Sequence, residues 1–165
     1  MPGERHCPLC SCQGISQFSY DGRRSYLLCG QCRLVFVPPQ ERPDRERERA
    51  EYDLHRNAVD DPGYRKFLSR LADPLVRQLA PGARGLDFGC GPGPALACML
   101  REAGFEIALY DSFYFADSSV LAGAYDFICA TEVVEHLHRP GEELERLWSL
   151  LSPGGWLGVI CLLYT

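Results

Sequence analysis

Four glycines fall within the nine residues Gly85-Leu86-Asp87-Phe88-Gly89-Cys90-Gly91-Pro92-Gly93, and an apolar run follows at Ala95, Leu96, Ala97, Met99 and Leu100. An apolar approach, a glycine turn and an apolar stretch of helical length read as strand, tight turn and helix. The glycines let the turn adopt φ > 0 and let a ligand approach bare backbone. The helix start adds unpaired N–H groups.

Two patterns compete for this loop. A dinucleotide fingerprint requires G-x-G-x-x-G, but Pro94 occupies its third glycine position. The spacing present is G-x-G-x-G, with the acid Asp87 two residues before the first glycine. Further on, Glu106 to Asp111 reads as a second buried strand ending in an acid. Asp111 lies 18 residues past Gly93, where an α/β nucleotide fold places a carboxylate on ribose hydroxyls. One carboxylate accepts from both hydroxyls of a vicinal diol, so Asp111 points to a ribose without selecting one nucleotide cofactor.

The nine cysteines form a second pattern. The segment Met1 to His6 has no apolar signal core, and an odd cysteine count fits a disulfide framework poorly. Cys7-Pro8-Leu9-Cys10 and Cys29-Gly30-Gln31-Cys32 are two C-x-x-C pairs separated by 18 residues. That spacing fits a closed tetrahedral zinc ribbon with Cys7, Cys10, Cys29 and Cys32 as ligands, in which Zn2+ stabilises the fold rather than catalyses. A redox pair and a ligand set drawing on Cys12 or His6 are the competing readings. Asp21-Gly22 is a hairpin turn signal, and residues 25–28 and 34–37 read as strands.

Pro38-Pro39 closes this region, giving a ribbon over residues 1–39. Gln40 to Glu51 interleaves arginines and glutamates, a solvated helix or linker in preference to an RNA-binding arm. Asp60-Asp61-Pro62-Gly63 signals a helix start, and apolar positions 64, 67, 68, 71, 75, 76 and 79 make a helical stripe. Pro74 predicts a kink or two short helices there. Residues 40–63 thus read as a charged linker and covering segment, and 64–165 as the main domain. Residues 1–50 hold eight arginines against six acids, whereas the remainder holds nine basic residues against sixteen acids. That balance, with Lys66 the only lysine, disfavours a broad nucleic-acid surface. No apolar run approaches the ~20 residues of a membrane span, so the reading is a cytoplasmic protein without a membrane partner.

A third strand, Tyr125 to Thr131, runs into Glu132-Val133-Val134-Glu135-His136-Leu137. The order LDFGCGPG, YD, YDFICATEVVEHL, LLSPGGWLGV resembles the class I S-adenosylmethionine (SAM)-dependent methyltransferases, and within them the superfamily that includes the ubiquinone-type O-methyltransferases. The resemblance covers roughly residues 52 to 165. It implies an α/β, Rossmann-like sheet preceded here by the small β-rich ribbon. It also implies SAM cradled at its methionine end by Asp87, Gly89, Gly91 and Gly93, with Phe88 and Cys90 in the same loop. Asp111 and Ser112 would meet the ribose, and Thr131 and Glu132 would flank the cofactor. Tyr52 and His55, in the segment before the first strand, would line the site.

The chain departs from the family in two places. Only 13 residues separate Asp111 from Tyr125, too few for the usual helix and third strand. Asp117 is then the weak candidate for the adenine amine, and Phe113, Tyr114 or Phe115 for stacking. After the turn Ser152-Pro153-Gly154-Gly155, the apolar strand Trp156 to Tyr164 would be an uncovered edge. The expectation is a sheet truncated after the fifth strand, with a further segment or a partner chain along residues 156–164. The preceding helix places Leu144, Leu147, Trp148 and Leu151 on one face.

The [Asp/Asn]-Pro-Pro-[Tyr/Phe] signature of nitrogen methylation is lacking. If helical, Glu132, Glu135 and His136 share one face beside the methyl donor. They could hold a divalent cation, or His136 could act as general base for a hydroxyl; the competing reading is a helix start with local packing. The leading function is methyl transfer to oxygen or carbon of a small-molecule acceptor. The alternatives are an RNA methyltransferase gripping RNA through the ribbon, and a degenerate methyltransferase fold serving as a binding module.

Overall fold

A computed structural model describes residues 6–54 and 58–161. The front of the chain is a three-stranded antiparallel sheet in the order β1-β2-β3, formed by β1 (Ile15–Tyr20), β2 (Ser25–Cys29) and β3 (Val35–Phe36). Asp21 makes the hairpin turn. One carboxylate oxygen accepts from the Arg23 and Arg24 amides at 2.8 and 2.7 Å, and the other from the Tyr26 hydroxyl at 2.8 Å. These donors, the Arg24 amide foremost, hold its carboxyl down to about 2.

The two C-x-x-C turns are built alike. The Cys7 amide donates to Cys12 O and Ser11 N–H returns to Cys7 O; the Cys29 amide donates to Leu34 O and Arg33 N–H returns to Cys29 O. The residue after each pair is left-handed, Ser11 at φ 58° and Arg33 at φ 66°. Such a conformation costs a non-glycine residue about 1–2 kcal/mol and turns each loop tightly enough to converge its two thiols.

A 3-10 turn at Pro39–Glu41 leads to α1 (Arg45–Tyr52), capped by Asp44 accepting from the Arg47 amide. Helix α2 (Pro62–Val76) begins with Pro62 at its first position and Asp61 accepting from the Tyr64 amide. It is a single helix, which excludes the two-helix alternative that Pro74 offers. Pro74 sits in the last turn, where the carbonyl it leaves without an amide donor is near the end of the ladder.

The main sheet is parallel, in the order β5-β4-β6-β7, from β4 (Arg84–Phe88), β5 (Glu106–Tyr110), β6 (Tyr125–Thr131) and β7 (Leu151–Ile160). Helices α2 and α3 (Ala95–Glu102) bury Leu68, Ala72, Leu75, Leu96 and Leu100 against Ile107, Phe127 and Cys129. On the other face, Leu147 of α4 (Pro140–Ser149) and Leu150 meet Leu86, Phe88, Ile128 and Ala130. Each fully buried leucine contributes roughly 1.5–3 kcal/mol, so this alternation fixes the register of β6. A register shift between Tyr125 and Phe127 breaks the alternation, and Tyr125 joins the second cluster.

As the 13-residue spacing requires, the segment after Asp111 forms only a hairpin-like bridge to Phe115 and a 3-10 turn at Ser118–Ala122, which leaves β5 at the sheet edge. Two expectations are corrected. The turn at Ser152–Gly155 lies inside β7 as an irregularity, with Leu151 pairing Tyr125 and Trp156 pairing Phe127. Leu147 is buried but Trp148 is 69% exposed and Leu151 belongs to β7, so α4 buries a narrower face than its pattern implies. His55 and the 162–164 end of the expected last strand lie outside the described residues. Among the described residues, no helix is long and apolar enough to cross a membrane.

Candidate functional site

The ends of β4, β5 and β6 open into a cavity of about 910 Å³. Its floor is the glycine turn. The Gly89 and Cys90 amides donate to Tyr110 O at 2.7 and 3.3 Å, which ties the turn to the end of β5. Gly89 has φ 72°, and a Cβ there would stand 2.3 Å from Val133 Cγ2, so only glycine lets the turn pass under the β6 loop. At Gly91, φ is 62° and a Cβ would meet nothing within 4 Å; its bare backbone faces open space.

Two buried carboxylates flank this floor. Asp111 accepts from the Gly91 amide at 3.0 Å on one oxygen, and from the Phe113 and Tyr114 amides at 2.8 and 3.2 Å on the other. Roughly one of its four acceptor positions stays open, so the side chain shapes the loop while keeping capacity for a hydroxyl donor. Asp87 is 2% exposed, and its Oδ1 has no hydrogen-bond partner. Burial pushes its carboxyl up to about 7, against the opposing pull of the Ala97 amide and Arg101. A buried, unpartnered carboxylate oxygen beside bare backbone is a site for a cationic donor. Burial, with Asp87 and Asp111 nearby, drives the Cys90 thiol upward and away from thiolate chemistry.

Phe88 also lines the cavity, with its ring stacked on Tyr110 at 5.4 Å. Ser112, Phe113 and Tyr114 form the far wall; the Ser112 carbonyl accepts from Arg45 at 2.8 Å, and that guanidinium lies 4.7 Å from the Phe113 ring centroid. Among the adenine-side candidates, Phe115 is used in the bridge to Asp111 and Asp117 caps the following 3-10 turn through the Ser119 amide. Neither lines the cavity, which leaves Phe113 and Tyr114.

Thr131 and Glu132 close the β6 side. Glu132 is left-handed at φ 56°, with its amide on Ile160 O at 2.7 Å, and the chain continues into a 3-10 turn at Val134–His136. The helical face expected for Glu132, Glu135 and His136 does not form, because the reversal at Glu132 breaks the helical path. All three still line the cavity. Among the described residues they do not form a metal-binding group; the four cysteines alone do. The Tyr52 ring meets His136 edge-on at 5.3 Å and its hydroxyl donates to Glu48 at 3.2 Å, so α1 covers the cavity.

Sequence reasoning passed over Tyr64, Glu48, Arg45 and the ribbon residues Arg24, Tyr26 and Val37, all of which line the cavity. Tyr64 reads as one more apolar position of α2, yet its hydroxyl bonds Glu132, and burial raises its pKa. The hydroxyl was the overlooked signal. Arg45 and Glu48 were hidden in a charged run that reads as solvated.

The Cys7, Cys10, Cys29 and Cys32 sulfurs lie within 4.8 Å of one another, with Cys7 to Cys32 at 3.5 Å and Cys10 to Cys29 at 3.6 Å. A tetrahedral ion with ~2.3 Å bonds to sulfur separates its thiolates by about 3.8 Å, so the four fit such an ion. Cys12 instead accepts from the Gly14 amide, and His6 meets Gln13 at 3.0 Å; neither belongs to the group.

Residues 60–163 match the family model described as a methyltransferase domain. The chain belongs to this methyltransferase family. A ubiquinone biosynthesis O-methyltransferase of Cronobacter sakazakii is 28% identical over 85 residues, which is 52% of this chain and 35% of that protein. The chain therefore spans about a third of the length of that curated relative. Among solved structures, the plantazolicin methyltransferase BpumL in complex with SAH is similar over 67% of this chain and 50% of its own, at 22% identity and a TM-score of 0.36. Its complex with a monoazolic desmethylPZN analog and SAH gives 23% and 0.37 over the same shares.

Proposed function

We propose that this chain binds SAM in the 910 Å³ cavity and transfers its methyl group to oxygen or carbon of a small-molecule acceptor. The observation that carries this reading is the unpartnered, buried Asp87 Oδ1 beside the open backbone of Gly91 and the partly free Asp111 carboxylate. Asp87 Oδ1 suits an ammonium, Asp111 suits a ribose diol, and the open space over Gly91 lets the chain between them lie against backbone. Phe88, Gly89, Cys90 and Gly93 complete the turn, Phe113 and Tyr114 provide flat apolar surface for an adenine, and Ser112 lies between them and Asp111. Thr131 and Glu132 stand at the methyl end. SAM bound there supplies an electrophilic methyl on sulfur.

The chain's own residues then act on the acceptor. His136, braced by the Tyr52 ring, is placed to take a proton from an acceptor hydroxyl, and Glu135 lies next to it on the same turn. The Tyr64 hydroxyl faces the Glu132 carboxylate, and both line the cavity. Cys7, Cys10, Cys29 and Cys32 would hold a structural Zn2+, and four thiolates would leave it no position for a substrate.

Calorimetric titration of S-adenosylhomocysteine (SAH) into the zinc-loaded chain tests the reading. Micromolar binding, weakened in Asp111→Asn, is the expected result; absence of binding by a folded sample overturns it. Asp111→Asn is the milder variant: its one carbonyl oxygen can still accept from the Phe113 and Tyr114 amides while the Gly91 amide is released, whereas alanine would release all three.

A further inference from the structure

A second cavity, of about 250 Å³, lies along the seam between the ribbon and the methyltransferase domain. It shares Arg24, Glu48, Tyr52, Glu135 and His136 with the larger cavity, so the two meet at the turn assigned to proton removal. Its outer wall is the ribbon strand β3 and the segment that follows it, including Arg42.

Among the other arginines around the site, Arg139 and Arg146 are each paired with a neighbouring glutamate, Glu142 and Glu143, and Arg45 donates to the Ser112 carbonyl. Among the described residues, no carboxylate lies within ion-pair distance of the Arg24 or Arg42 guanidinium, and both side chains are half-buried. Arg42 donates only to two carbonyls, Val37 O at 3.1 Å and His138 O at 2.7 Å, and burial lowers its pKa. Three acids share this lining: Glu48 accepts from Tyr52 and faces His138 at 3.9 Å, Glu135 faces the Cys161 thiol, and Glu51 is exposed to solvent. Two half-buried guanidinium groups without an anion, lining one cavity, make a receptor for an oxyanion.

We propose that the seam cavity is the acceptor subsite, and that Arg24 and Arg42 hold an anionic oxygen group, phosphate or carboxylate, of the methyl acceptor. The inference rests on the methyltransferase reading above. The acceptor then spans the two cavities, with its nucleophile at Glu135–His136 and its anion on the ribbon. The ribbon is thereby part of substrate recognition rather than an appended stabiliser.

The test uses the zinc-loaded full chain with SAH present, titrated with inorganic pyrophosphate in one arm and succinate in the other, at constant ionic strength. One anion binding the wild type at least about tenfold more tightly than Arg24→Gln or the Arg24→Gln/Arg42→Gln double variant, each at saturating SAH, is expected. The anion that binds tighter identifies the acceptor's group. Arg24 makes no side-chain hydrogen bond within the described fold, so the single variant reads binding rather than folding. Equal affinity of wild type and both variants for both anions overturns the proposal. Failure of SAH to bind would instead overturn the cofactor reading, and the same titrations without SAH would still judge the arginine pair.

Discussion

Replacing Asp87 by asparagine isolates the electrostatic cost of the cofactor floor. The Asp87 carboxyl titrates near 7 when folded, against an ordinary value of 3.8, because burial disfavours its charged form. The folded state therefore binds the proton more tightly than the unfolded state does. Below pH 4 both states are protonated and Asp87 costs nothing. Between pH 4 and 7 the unfolded chain ionises and the folded chain does not, so stability falls as pH rises. The gap between 3.8 and about 7 corresponds to about 4 kcal/mol, lost in full above pH 7. The amide of the Asp87→Asn variant cannot ionise, so the variant loses this slope. Urea unfolding of wild type and variant at half-unit steps from pH 4.5 to 8.5 gives the difference directly, and other titrating groups cancel in it. The variant should gain about 3–4 kcal/mol on the wild type between the ends of that range. An ammonium seated at Oδ1 offsets the penalty, so saturating SAH should flatten the wild-type slope and leave the variant's unchanged. A difference that stays within about 1 kcal/mol across the range would refute the argument that Asp87 Oδ1 is buried without a partner.

Gly85→Ala should destabilise the domain by about 1–3 kcal/mol in urea unfolding, because its Cβ would fall 2.2 Å from the Phe127 ring across the β4–β6 pair. Stripping the metal with a strong chelator should release one zinc per chain, make four further thiols reactive, and unfold the β1–β3 ribbon by circular dichroism while α2 and α3 persist. Tyr64→Phe removes the hydroxyl that bonds Glu132 and should cost about 1.5–3 kcal/mol in thermal or urea unfolding; an unchanged midpoint would show that the bond contributes nothing.

Most of the fold was legible because local chemistry and burial agree. The unit of β4, turn and α3 follows from glycine placement and the apolar run, the hairpin from Asp21-Gly22, and the metal group from cysteine spacing. In each, residues near in sequence decide the geometry. The errors arose where one residue overrode a period. Glu132 adopts a left-handed conformation that no composition rule assigns to glutamate, and this turned an expected helix into a 3-10 turn. Trp148 follows the helical stripe but sits beyond the part of α4 that the sheet covers, and is exposed. Pro74 offers a kink or two short helices in sequence, and one helix persists through it because proline in a last turn removes little.

The site was half legible for a related reason. Asp87, the glycines and Asp111 are specified by strand ends, which the sequence marks. The ribbon-side wall is specified by contacts between segments far apart in sequence. Arg42 reaches the His138 carbonyl across 96 positions, Arg45 reaches Ser112 across 67, and the Gly141 amide donates to Pro8 O. A Cβ at Gly141 would stand 2.5 Å from Leu9 O, so the first cysteine turn is pressed against the start of α4. Residues 134–140, which include His136, are therefore held between the end of β6 and the metal turn. A tetrahedral ion that fixes Cys7 and Cys10 fixes Pro8 and Leu9 as well, and so bounds how far the Glu135–His136 turn can move. On this geometry the four-cysteine cluster and the seam cavity belong to one mechanical unit, although their residues share no motif.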